Sequence, residues 1–223
     1  MSGATGDGLP IVEPPFDATG RERSDSDTGT TRVAGVVLAA GTSSRFGTAN
    51  KLLAAADDSD EPIVRRATRT LTATRLDPVV VVLGHEADRV ATAVDGLDVE
   101  LVRNEAYADG QATSVRAGVQ AVRDQSDVDA VLIALGDMPF VARETIEALL
   151  TAYEADVGAA LAAAHDGDRG NPVLFDRRYF DALCDVEGDV GGRRLLFEGD
   201  RSACVAVDDP GVRRDVDEPD DLD

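Results

Sequence analysis

Apolar residues along the chain come either in short unbroken runs or at every third or fourth position. Val33–Ala39, Val79–Leu83 and Ala130–Leu135 carry no polar side chain, the pattern of strands covered on both faces. Residues 99–102 predict a further, shorter strand. Between these runs, Ile63–Thr72, residues 86–94 and Gln111–Arg123 read as helices, the last with Val115, Val119 and Val122 on one face. Ile146, Leu149, Leu150 and Tyr153 share the face of a further helix beginning near Ala142. Residues 157–164 predict a strand, DGDRGNP a turn, and VLF at 173–175 an extended stretch. Residues 177–183 and 190–197 predict short helices, and 203–207 a last strand. Strands alternating with helices of this length predict an α/β domain with a mainly parallel sheet. Residues 1–31 hold Gly, Asp, Ser, Thr and Pro with no sustained apolar period. They predict a disordered acidic tail, with the folded domain at residues 32–223.

Charge narrows the partners. With 223 residues, 43% of them apolar, the chain is long enough for one substantial core. A net charge of −21 repels nucleic acid and anionic membranes alike, so neither is an expected partner. The excess of Asp over Glu and the abundance of Ala and Val suit concentrated salt, which screens the self-repulsion of such a surface. Cys184 and Cys204 are the only cysteines. With no leader-like segment or membrane-length apolar run, they read as small buried thiols of a protein in a reducing cytoplasm. His85 and His165 are too far apart to suggest zinc.

The candidate chemistry gathers where the first strand ends. Leu38 to Gly41 reads LAAG, and a hydroxyl-rich turn with Arg45 and Lys51 follows. No acidic residue falls between Thr28 and Ala56. Lys51 is the only lysine, the other 21 basic residues being arginine. One compact ammonium kept beside a glycine turn suggests a phosphate site. Gln111–Arg123 opens directly after Gly110, so its first turn would offer free amides and Ser114 at the strand ends, where open α/β sheets bind ligands. Asp137 follows the most apolar strand and precedes Pro139, a good place for Mg²⁺. Its alternative role, capping the helix near Ala142, is weakened by the intervening Met138, Pro139 and Phe140. Asp215 and Asp217 alternate with Val216, so an extended backbone would point both carboxylates the same way. Asn104 reads as a strand-end turn residue or a nucleotide contact.

The order of these motifs resembles one family. LAAG with Ser44, Arg45, Gly47 and Lys51, then GQATSVRAGV, GDMP, GNPVLF, GDVGGRRLL and DVDEPDDL, are similar in sequence and order to a MobA-like nucleotidyltransferase of the molybdenum cofactor cytidylyltransferase branch. The resemblance implies a Rossmann-like three-layer α/β/α sandwich of the nucleotide-diphospho-sugar transferase type. It also implies transfer of CMP from CTP to the phosphate of molybdopterin, with Mg²⁺ as cofactor and a molybdenum hydroxylase as a possible partner. By position, the backbone of Leu38, Ala39, Ala40 and Gly41 would hold the nucleotide, with Thr42, Arg45 and Lys51 along its phosphates. Gly110, Gln111 and Ser114 would face the base. Asp137 would bind the metal with Asp217, or with Asp215 in its place. Arg45, Lys51 and Asp137 would be catalytic, and Asn171 and Asp189 would contact the acceptor. Relatives often carry His where this chain has Asn171, and Asp189 could equally cap a helix. A guanylyltransferase on the same fold, a cytidylyltransferase acting on a sugar or polyol phosphate, and a non-catalytic nucleotide carrier are the alternatives.

Overall fold

A computed structural model of the chain describes residues 5–6, 8–16, 31–42, 50–55, 60–125, 127–186, 192–217 and 221. Among these, nine strands form one sheet: β1 (Thr5–Gly6), β2 (Leu9–Val12), β3 (Val33–Ala39), β4 (Val79–Leu83), β5 (Glu100–Arg103), β6 (Ala130–Leu135), β7 (Ala160–His165), β8 (Asp168–Asp176) and β9 (Ser202–Ala206). Their order across the sheet is β1-β2-β9-β7-β8-β6-β3-β4-β5. The ladders β3/β4, β3/β6, β4/β5, β7/β9 and β2/β9 are parallel, while β8 runs antiparallel to both its neighbours and β1 to β2. The sheet is therefore mixed and mostly parallel, as the alternation predicts.

The all-apolar runs are the strands with partners on both sides and helices on both faces. Val33, Val37 and Ala39 of β3 face one core, together with α1 (Ile63–Thr72), α2 (Ala87–Ala93) and α4 (Arg143–Glu154). Ala34 and Val36 face the other, with α3 (Gln111–Arg123), α5 (Phe180–Cys184) and α6 (Arg193–Glu198). Three layers result. Each fully buried Leu or Ile, such as Ile146 and Leu149, contributes about 1.5–3 kcal/mol against exposure. A Cβ on Gly118 would lie 2.4 Å from Val36 Cγ1, so glycine lets α3 close onto β3. That fixes where the first turn of α3 meets the strand ends.

Two expectations fail. The tail is not disordered throughout: Leu9–Val12 extends the sheet in parallel to β9, in the register Ile11↔Cys204 and Val12↔Val205. Leu9 is buried in the core of α3, and Val12 and Phe16 pack against the opposite one. Four residues are too few to show a period, and the open edge of an otherwise buried strand supplies the drive for pairing. Nor is DGDRGNP a turn over its length. The reversal is confined to Asp166 and Gly167, both at positive φ, and β8 already runs from Asp168 through Asn171 and Pro172. Proline is tolerated there because its position lies in the register shift between Ala162 and Ala164 and before the β6 ladder begins at Val173. The expected helix from residue 190 runs over Arg193–Glu198, with residues 187–191 outside those described.

Candidate active site

Two adjoining cavities open at the carboxyl ends of the central strands. One, of about 470 Å³, is lined by Leu38, Ala40, Gly41, Thr42, Lys51, Leu52 and Asp137 on one side and by Tyr107, Gly110, Gln111 and Ser114 on the other. The second, of about 390 Å³, shares Leu38, Gln111 and Leu135 with it and extends to Arg169, Asn171, Phe175 and Arg193. The two cavities thus meet along β3 and β6.

Lys51 stands on a short 3₁₀ turn, Lys51–Leu53, whose first residue is preceded by Asn50. Asn50 Oδ1 accepts from Leu52 N–H at 3.1 Å, and the Leu52 side chain is buried in the core of α1. The ammonium donates to Asp217 Oδ1 at 2.8 Å and lies 2.8 Å from Asp137 Oδ2. Burial alone would lower the Lys51 pKa. Asp137 and then Asp217 act in the opposite sense and leave it above the ordinary lysine value. Two carboxylates thus converge on one point at the edge of the larger cavity, which Lys51 and Asp137 line.

Tertiary packing produces this convergence. Asp137 lies in the turn after β6, and its carbonyl accepts from Val216 N–H at 2.9 Å. Val216 is fully buried with Ile63, against Ala54 and Phe140. Beside that plug Asp217 meets Lys51, whereas Asp215 is exposed, with no ion pair among the described residues, and does not share the direction that an extended backbone would give both. Asp137 does not cap α4: Asp209 Oδ2 does so, accepting from Ala142 N–H at 2.8 Å and from Thr145 Oγ1 at 2.6 Å.

The loop after β3 approaches the β4 end closely. A Cβ on Gly84 would lie 2.6 Å from Tyr107 Cβ and 2.7 Å from both Ala40 Cβ and its carbonyl oxygen. Only glycine allows this approach. Gly110 has φ 112° and ψ 166°, a conformation open in practice to glycine alone, and it turns the chain into α3.

Of the residues expected at the site, Leu38, Ala40, Gly41, Thr42, Lys51, Gly110, Gln111, Ser114 and Asp137 line the larger cavity. Asn171 lines the second. Ala39 does not reach either: it is fully buried in the core and pairs with Leu83. Arg45 and Asp189 lie outside the described residues. The sequence reading missed Tyr107 and Arg169, and took in Arg193 only as part of the GDVGGRR segment expected to line the acceptor pocket. Arg169 sits two positions before Asn171 on one strand, a period that places both on the same face. Arg169 and Arg193 each stack on Phe197, with guanidinium carbons 5.7 and 5.6 Å from the ring centre.

Mg²⁺ fits what is present. Asp137 and Asp217 already direct one oxygen each at a common cation, and hard carboxylate oxygens are its ligands of choice, usually completed by substrate phosphates and water. Among the described residues no cluster of three or more His, Cys, Asp or Glu could hold a metal without such help. No helix there is long and apolar enough to cross a membrane.

Several known proteins are similar to this chain in sequence or in fold. Nicotine blue oxidoreductase of Paenarthrobacter nicotinovorans is 29% identical over 176 residues, 76% of this chain and 84% of the relative. Molybdenum cofactor cytidylyltransferase of Escherichia coli is 26% identical over 125 residues, 56% of this chain and 61% of that protein. The crystal structure of Rv0371c from Mycobacterium tuberculosis superposes with a TM-score of 0.73 at 29% identity, covering 87% of this chain and 96% of that one. The same protein has also been solved in complex with manganese, at 28% identity and a TM-score of 0.68, covering 86% of this chain and 96% of that one. In fold alone, 4-diphosphocytidyl-2C-methyl-D-erythritol synthase of Anaerococcus prevotii is similar, with a TM-score of 0.66 at 13% identity over 86% of this chain and 93% of that one. Residues 35–210 match the MobA-like NTP transferase domain, and the chain accordingly belongs to the MobA-like family of nucleotidyltransferases.

Proposed function

We propose that the protein transfers CMP from CTP to the phosphate of molybdopterin, releasing pyrophosphate. The observation that carries this reading is the Lys51–Asp137–Asp217 cluster, whose Lys51 and Asp137 line the larger of two adjoining cavities. Transfer requires an anionic acceptor phosphate to reach an α-phosphate that is itself negative, and local positive charge is what removes the opposition. Lys51 supplies a compact donor to the phosphate oxygens. The amides of the loop after β3 and the first turn of α3 bind and orient the nucleotide, and Leu38 and Leu135 form the shared floor along which the acceptor approaches. Asp137 and Asp217 would hold Mg²⁺, which supplies Lewis-acid neutralisation of phosphate charge. The acceptor phosphate is already ionised, so no general base is needed. Arg169, Arg193, Asn171 and Gln111 give the second cavity polar anchors among apolar walls, suited to a flat anionic acceptor. The likeness to the Escherichia coli cytidylyltransferase supports this base and acceptor.

A second reading, an oxidoreductase, is favoured by the longer likeness to nicotine blue oxidoreductase. It leaves the charge cluster of Lys51 with two carboxylates without a task. The test is Mg²⁺-dependent pyrophosphate release in high potassium chloride with CTP, GTP and ATP, each with and without molybdopterin. Release with CTP and molybdopterin alone, lost in Asp137→Asn, is the expected result. Release with GTP would assign the guanylyl reaction instead. Nucleotide binding without release under any condition would overturn the proposed transfer.

A further inference from the structure

Asn104 follows β5 and is only 7% exposed. Its carboxamide orientation is set by a group that cannot be reversed: the backbone N–H of Ala106 donates to Oδ1 at 3.0 Å. The Nδ2 group therefore points at α3, where it donates to Thr113 Oγ1 at 2.8 Å and to Ser114 Oγ at 3.0 Å. Thr113 hands its own proton to the carbonyls of Ala106 and Gly110, at 3.0 and 2.8 Å. Ser114 has no such outlet. It is 5% exposed, it lines the larger cavity, and its hydroxyl proton meets no acceptor among the described residues. A hydroxyl that accepts from an amide on one side carries its proton to another side, and the side open to it here is the cavity.

We propose that Asn104 is a positioning residue that holds Ser114 as a hydrogen-bond donor toward the nucleotide base, and thereby selects a base presenting acceptor atoms at that point. The inference rests on the larger cavity being the nucleotide site. Cytosine offers two adjacent acceptors, O2 and N3. Guanine presents N1–H and its 2-amino group on the corresponding edge, two donors facing the Ser114 proton. The second lone pair of Ser114 could accept from guanine only by leaving that proton unsatisfied in a buried place. The same polarity disfavours any base that brings a donor to this point.

Asn104→Asp tests this with little change of shape. The new carboxylate still accepts from Ala106, but it replaces the donor with an acceptor, so the Ser114 hydroxyl turns to it and its lone pairs face the base. Dissociation constants of CTP and GTP are measured by calorimetry, and kcat and KM by pyrophosphate release, for the wild type, Asn104→Asp, Ser114→Ala and the double variant. Expected is a roughly 10- to 100-fold weakening of CTP binding, appearing in KM more than in kcat, with the preference for CTP over GTP falling by the same factor. In the Ser114→Ala background, Asn104→Asp should alter that preference by less than about threefold, because the two act as one unit. Should Asn104→Asp not fold, Ser114→Ala alone must lose the preference, since it keeps the Asn104 turn. Equal losses for both nucleotides, a wild-type preference for GTP, or a full Asn104→Asp effect without Ser114 would overturn the inference. A wild type that binds neither nucleotide would overturn the reading of the cavity itself, a result distinct from a CTP preference that survives Asn104→Asp.

Discussion

Lys51→Met removes the ammonium and keeps most of the aliphatic stem. In the free protein the ammonium faces oxygens of Asp137 and Asp217, both at 2.8 Å, with the lysine side chain 13% exposed. Breaking a fully buried pair costs about 3–5 kcal/mol and an exposed one about 0–1. A site sheltered on the lysine side and about a third exposed at Asp217 falls between, at about 2 kcal/mol. In the transition state the loss is that of one preorganised charge-stabilising donor, about 2.7–4 kcal/mol, or a 10²- to 10³-fold fall in kcat. The two effects separate experimentally. Thermal melts without divalent metal should show the variant destabilised. Adding Mg²⁺ should stabilise it more than it stabilises the wild type, because the carboxylates no longer have an internal cation. Pyrophosphate release at saturating nucleotide gives kcat. A fall in kcat of about tenfold or less, with Mg²⁺ shifting both proteins equally, would refute the assignment of Lys51 to the phosphates and of the two carboxylates to the metal.

Gly84→Ala should weaken nucleotide binding and lower stability by about 1–3 kcal/mol, since its Cβ would press on Ala40 and Tyr107 at under 3 Å; calorimetry and a melt read both. Asp176 is buried, and burial alone would raise its pKa, but hydrogen bonds from Arg178 and Tyr153 hold it below the usual value of 3.8. Its contribution is present above the unfolded pKa and lost as pH falls through the lower native one. The stability gap between wild type and Asp176→Asn should therefore be constant near neutrality and close below about pH 4, as chemical denaturation across pH would show. Deleting residues 2–13 should lower the melting midpoint by about 5 °C, from the lost burial of Leu9 and its neighbours, and expose the β9 edge to self-association that sedimentation would detect.

Much of the fold could be read along the chain because strands buried on both faces must be wholly apolar, and β3, β4 and β6 are. The helices were legible for the same reason: Val115, Val119 and Val122 recur at the helical period and meet β3 where Gly118 lets them. β2 was not legible. Its four residues carry no period of their own, and what makes them a strand is the free edge of β9, nearly 200 residues away. The antiparallel run of β8 through Pro172 was hidden likewise, since proline signals a break unless the ladder around it is already interrupted.

At the site, local sequence announced the parts that depend on local geometry: the loop after β3, glycine at Gly110 before a helix, and an acid ending a central strand. Which acids work together is a different kind of fact. Asp215 and Asp217 are equivalent by spacing, and only the tertiary structure places one on Lys51 and the other in solvent. Asn104, read as a turn residue, is one, yet its second function depends on where α3 lies. Periodicity and residue chemistry, written within a few residues of each other, determined the elements and the candidate loop. Contacts between segments far apart in the chain decided the strand order, the choice of carboxylate and the direction of a single hydroxyl proton, because those depend on distances that folding alone creates.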